Sequence, residues 1–148
     1  MGLRLISLIL TTQVFSSVFG QGLENLKLTD TEVPDKYERT DEMRNKSIQA
    51  GSFYEQTDLY ESFIGKIMNK EFQSYESKDD SGTIYYYEFE EDFRQPGFLE
   101  GLLWGGKKPT KDHPEEYFVK GNILVIWSFV DKSELKKISK NKIIAFLN

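Results

Sequence analysis

The 148-residue sequence predicts an α+β fold, an antiparallel sheet of about four to five strands with two helices packed against one side. The expected order is α-β-β-(long loop)-β-β-α. Three observations carry this expectation. Residues 83–91 alternate in character as a strand with two different faces does. Residues 123–130 are a run of strong β-formers with little alternation. Two segments begin with an Asp and a Glu three residues later, the capping-box spacing, ahead of apolar residues at helical intervals.

The chain opens in the manner of a secretory signal peptide. Arg4 supplies the basic start, Leu5 to Phe15 a short apolar core, and Ser16 to Gly20 a small-residue exit. Residues 1–20 are therefore expected to be cleaved, which gives a secreted or periplasmic location. The apolar core is about 11 residues, against the roughly 20 that a spanning helix needs, so no membrane span is expected after cleavage. Residues 21–55 are polar, with Leu23, Leu26, Leu28 and Val33 scattered among them. They are predicted to form an extended N-terminal arm or linker. Asn45-Lys46-Ser47 matches the N-glycosylation triplet. Residues 56–148 are predicted to be a single α+β domain.

Asp58 and Glu61 start the first predicted helix, 59–69, with Leu59, Tyr60, Phe63, Ile64, Ile67 and Met68 at helical spacing on one face. A hairpin follows, with strands 71–78 and 83–91 around the turn signal Asp79-Asp80-Ser81-Gly82. Its first strand alternates poorly and is expected at an edge. In its second, Tyr85, Tyr87 and Phe89 share one face, and Ile84, Tyr86, Glu88 and Glu90 share the other. Residues 93–116 make a long connection, with a short strand or turn around 102–104. A second hairpin runs from 117–119 through 120–122 into 123–130, an inner strand covered on both faces. The last helix is expected over 132–141, with Asp131 as N-cap, Glu134 closing the box and Val130 stapled to Leu135. A break is placed near Asn141, after which 143–147 either continue the helix or form a final strand.

Composition removes several functions. The chain has no cysteine, which excludes disulfides, thiol catalysis and zinc sites built on Cys. Aromatic residues are 14% of the chain, enough for a core that stands on packing alone. The net charge is -5, without the basic footprint of a nucleic-acid binder, so no nucleic-acid partner is expected.

Few residues carry a chemical signature. His113, the only histidine, has Asp112, Glu115 and Glu116 beside it and is the one candidate metal ligand. Pro114 holds it in extended geometry, where such close neighbours point apart. No Gly-x-Ser-x-Gly elbow accompanies the serines. Glu88 and Glu90 are the candidate catalytic pair, about 7 Å apart by strand rise, within the roughly 5–10 Å that glycoside hydrolysis uses. Gly101 to Lys108 imitates a phosphate loop but has Lys108 where the hydroxyl belongs. Tyr86, Trp104 and Trp127 are the candidate ligand-binding rings. The expected function is a non-catalytic binding or interaction module, acting through an exposed aromatic sheet face or the 93–116 loop. Its partner would be a protein, a glycan or a small apolar ligand, with no cofactor. The alternatives are a secreted hydrolase using acidic residues and a carrier of a small apolar ligand.

Overall fold

The strand Gly82–Phe89 (β3) is the middle of the sheet, and its neighbours follow from its two-faced sequence. The structure, a computed structural model, describes residues 22–148, so the predicted leader lies outside the described residues. The strands Glu38–Thr40 (β1), Ile67–Glu76 (β2), Glu116–Lys120 (β4) and Ile123–Ser128 (β5) complete a five-stranded sheet in the order β1-β2-β3-β5-β4. Every pairing is antiparallel. The helices are Ile48–Glu55 (α1), Glu61–Ile64 (α2), Pro96–Trp104 (α3) and Glu134–Leu147 (α4). Among the described residues the fold is α+β, with four α-helices instead of two and one strand, β1, ahead of the expected order.

The helices cover both sides of the sheet, not one. Ile84, Tyr86, Val125 and Trp127 form one buried face with Leu135 and Ile143 of α4. Tyr85, Tyr87, Leu124 and Ile126 form the other with Phe53 of α1, Ile64 of α2, and Leu99 and Leu103 of α3. The reason is in the strands. Both side-chain sets of β3 and β5 are apolar or aromatic, and either would be costly to leave in water. All six residues of β5 are buried, as its uninterrupted apolar run predicts. No exposed aromatic sheet face remains on these two strands.

The described part of the predicted arm, residues 22–55, does more than extend over the domain. Leu23, Leu26 and Leu28 are buried in the α4-side core. Gln73 of β2 holds this segment like a strand partner: Leu28 N–H donates to its Oε1 at 2.9 Å and its Nε2 donates to the Leu28 carbonyl at 3.0 Å. β1 then pairs with β2, which makes β2 an inner strand where an edge was expected. Asn45, the triplet asparagine, is half-buried and accepts a hydrogen bond from Tyr85 Oη. A Cβ built on Gly51 would stand 2.4 Å from its Nδ2, so a glycan there would have to displace α1.

The helix expected over 59–69 is broken. A 3-10 turn, Thr57–Tyr60, leads into α2, which ends at Ile64. Gly65 has φ 97°, a conformation that suits glycine and stops the helix. Ile67 and Met68 then open β2, and Leu59, Phe63 and Met68 are exposed. The apolar spacing came from two adjoining elements, each using part of it. The 102–104 segment is the end of α3, not a strand. α4 starts later and runs further than predicted. Its N-cap is Ser133, whose Oγ accepts from Lys136 N–H at 3.1 Å, and it continues past Asn141 to Leu147. Asp131 precedes the cap and Val130 is exposed, so neither fills its predicted capping role.

Candidate functional site

Three polar anchors hold the second half of the 93–116 connection against the end of the sheet. Trp104 Nε1 donates to the Glu115 carbonyl at 2.8 Å. The Glu115 carboxylate is fully buried and accepts from Ser47 Oγ at 2.7 Å and Ser128 Oγ at 2.6 Å. Tyr117 Oη donates to Glu100 of α3 at 2.6 Å. Burial and this neighbouring carboxylate push the Tyr117 hydroxyl up to about 12. Between the anchors, Thr110 and His113 close a turn: Thr110 N–H donates to the His113 carbonyl at 3.1 Å, and His113 N–H donates back at 3.2 Å.

With residues 130–132, the segment just ahead of α4, this loop lines an open cleft of about 710 Å³. Pro109 and Pro114 of the loop, with Val130 opposite, give it apolar walls. Lys111 stands on the loop side and Lys132 on the helix side. A second hollow of about 500 Å³ continues it along α4, past Lys136, Lys137 and Lys140. The two share Glu116, Asp131 and Lys132 in their linings.

The cleft is electrically lopsided. Glu116 is held by two ammonium groups, Lys136 Nζ at 2.6 Å and Lys140 Nζ. Burial works against its ionised form, yet the two lysines outweigh it and keep the carboxyl below its ordinary range. Lys136 also lies 3.8 Å from exposed Asp131. Lys111, Lys132 and Lys137 form no ion pair with any described residue. Lys136 and Lys137 sit in the first turns of α4, where the helix dipole disfavours cations. A helix beginning at 132, as the capping-box spacing predicts, sets both lysines two positions further from its N-terminus than the observed start at Glu134 does. Their place near its beginning was the available signal, hidden by the wrong N-cap.

The residues singled out from sequence are not brought together. Tyr86 and Trp127 are 0% exposed; Tyr86 Oη donates to Gln73 Oε1 at 2.7 Å and Trp127 Nε1 to Ser139 Oγ at 2.8 Å. Both are core residues that a ligand could reach only by opening the fold. Trp104 is half-buried beside Tyr117, ring centroids 6.0 Å apart, and holds the loop without lining the cleft. Glu88 is half-buried, with Asn69 Nδ2 at 3.4 Å from its Oε1. Glu90 lies beyond β3, exposed, its N–H bonded to the Lys66 carbonyl at 2.8 Å. Glu88 pairs with Ile123 at one end of β5 and cleft-lining Glu116 with Trp127 at the other, so Glu88 and Glu90 lie at the opposite end of the sheet from the cleft. His113 is half-buried and its Nδ1 lacks a hydrogen-bond partner. Its neighbours Glu115 and Glu116 are turned away to serines and lysines. Among the described residues no three His, Asp or Glu side chains gather as a metal site.

The chain matches no protein-family model, and no curated protein or solved structure is significantly similar to it. No helix among the described residues is long and apolar enough to cross a membrane.

Proposed function

We propose that this chain is an exported, non-catalytic binding module, and that it binds in the cleft between residues 109–116 and the segment 130–132 that leads into α4. The observation that carries this is the cleft itself: an open, apolar-walled groove on a loop pinned at both ends. A loop tied at its base and turned at 110–113 has fewer shapes to lose, which lowers the ordering cost of binding. The conformational freedom usual in so long a connection is here restrained by Trp104, Glu115 and Tyr117. The carboxylate-hydrolase alternative gains no support from Glu88 and Glu90, of which Glu88 is half-buried beside Asn69 and Glu90 lies exposed beyond β3.

The test is a screen of peptide and glycan arrays with the purified protein, followed by amide chemical-shift mapping of each hit. Hits should perturb 109–116 and 130–137. Hits that map elsewhere, or arrays without hits, overturn the proposal. So does turnover of a glycan or peptide that is lost in a folded Glu88→Gln/Glu90→Gln double variant.

A further inference from the structure

We propose that the ligand of this cleft is an acidic peptide segment of a partner protein. Its carboxylates would meet Lys132, Lys137 and Lys111, and an apolar side chain would lie between Pro109, Pro114 and Val130. The inference rests on the cleft being the binding surface and adds the chemistry of what enters it.

Charge comes first. A chain of net charge -5 gathers five lysines around two adjoining hollows that hold only Glu116 and Asp131 as acids. Glu116 is already answered twice, by Lys136 and Lys140. Lys111, Lys132 and Lys137 are left to solvent, and a low-dielectric groove focuses their field. The beginning of α4 adds to the same positive potential.

Shape selects among anions. An enclosed pocket buries most of a small ligand, whereas these hollows are open and run on from one another through Lys132. Such a groove suits an extended chain. Its apolar part lies at the loop end and its cationic part along the helix, which calls for a ligand with both characters. The acidic side chains select further. Asp131 is 92% exposed and stands among the lysines. A uniformly sulfated or phosphorylated polymer would set a like charge against it, which is costly at close range. A peptide can place a neutral or basic residue there.

The experiment is fluorescence anisotropy with the whole protein and three labelled probes. They are a peptide of repeated Glu-Leu-Gly, the same peptide with Gln for Glu, and a heparin-derived hexasaccharide. The Glu peptide should bind at least about tenfold tighter than the Gln peptide, and weaken as NaCl rises from about 50 to about 300 mM. The Lys132→Glu/Lys137→Glu variant should lose about tenfold or more, and Lys111→Glu, on the separate loop, should lose affinity without touching the helix. Lys66→Glu/Lys78→Glu, the same charge change at exposed lysines outside the cleft, should bind as the parent does. Thermal melts identify any variant that fails to fold. Equal loss in that control, or no preference for the Glu peptide, overturns the proposal. If the hexasaccharide or Gln peptide binds more tightly and depends on cleft residues, the cleft reading stands and the acidic peptide is wrong. If no probe binds, both fall together.

Discussion

Tyr86 and Tyr87 are consecutive, equally buried, and solve the same problem differently. On the α4 side, Tyr86 donates to Gln73 and Trp127 donates to Ser139 of the covering helix. On the opposite side, Tyr87 Oη is buried with no hydrogen-bond partner. What surrounds it is rings: Phe53 at 5.2 Å, edge-on, and Tyr54 at 6.0 Å. Every ring-to-ring contact among the described residues lies on this second side. The covers differ too. One side has a single 14-residue helix, the other helices of 8, 4 and 9 residues. The long helix meets one ring tip, Trp127, through Ser139, while Tyr86 is met from β2 by Gln73; on the other side Tyr85 finds Asn45, and Tyr87 alone of these rings is left without a partner. Short helices offer few positions each, and large rings fill the space between them.

The strongest test of this contrast removes the ring at the centre of the hydrogen-bonded side. Trp127→Ala should cost about 3–5 kcal/mol in urea unfolding, through the cavity and the stranded Ser139 hydroxyl. A cost below that of Phe53→Ala would reverse the order of dependence on the two sides.

A finer cut exchanges single hydroxyls. Tyr86→Phe should destabilise by about 1–2 kcal/mol, because a buried bond to Gln73 is lost. Tyr87→Phe should be neutral or slightly stabilising, because its hydroxyl is desolvated for no partner. Equal losses in thermal or urea melts would show that Tyr87 is hydrogen-bonded after all.

The α4 side should also respond to acid. Glu116 has a folded pKa below its ordinary 4.5, so its ion pairs contribute fully above that value. The contribution is lost as pH falls through the lower, folded value. Unfolding measured from pH 6 downward should therefore show stability falling below about pH 4.5, with a shallower fall in Glu116→Gln. Identical slopes in the two proteins would remove Glu116 from the account.

The smallest effect is expected at the rim of the ring-filled side. Phe63 is 57% exposed and stacks on Phe98 at 4.9 Å. Phe63→Ser should change stability by no more than about 0.5 kcal/mol. A loss several times larger would mean that the stack is part of the core.

Much of the sheet was legible. The alternation in β3 assigned Tyr86 and Tyr87 to opposite faces, and the apolar run in β5 announced burial on both sides. What it hid was at boundaries. Residues 59–68 satisfy a helical spacing, yet Gly65 divides them between α2 and β2. α1 was missed because only Ala50, Gly51 and Phe53 of its residues are buried, too few to mark a stripe. The cleft was illegible for a different reason. Its walls come from 109–116 and 130–140, and the choice of Ser133 over Asp131 as cap decides where the lysines stand.

By itself, the sequence determined the α+β class, the absence of any disulfide, the two hairpins and the aromatic character of the core. These depend on local spacing and composition, which a chain carries wherever it folds. Only the tertiary structure decided that helices cover both faces, that residues 22–55 help to build the domain, and that five lysines gather around one groove. Those facts depend on distant segments meeting, such as Leu28 with Gln73 and Glu116 with Lys136. Their cause is burial: two apolar sheet faces required two covers, and residues 22–64, the long connection and α4 supply them.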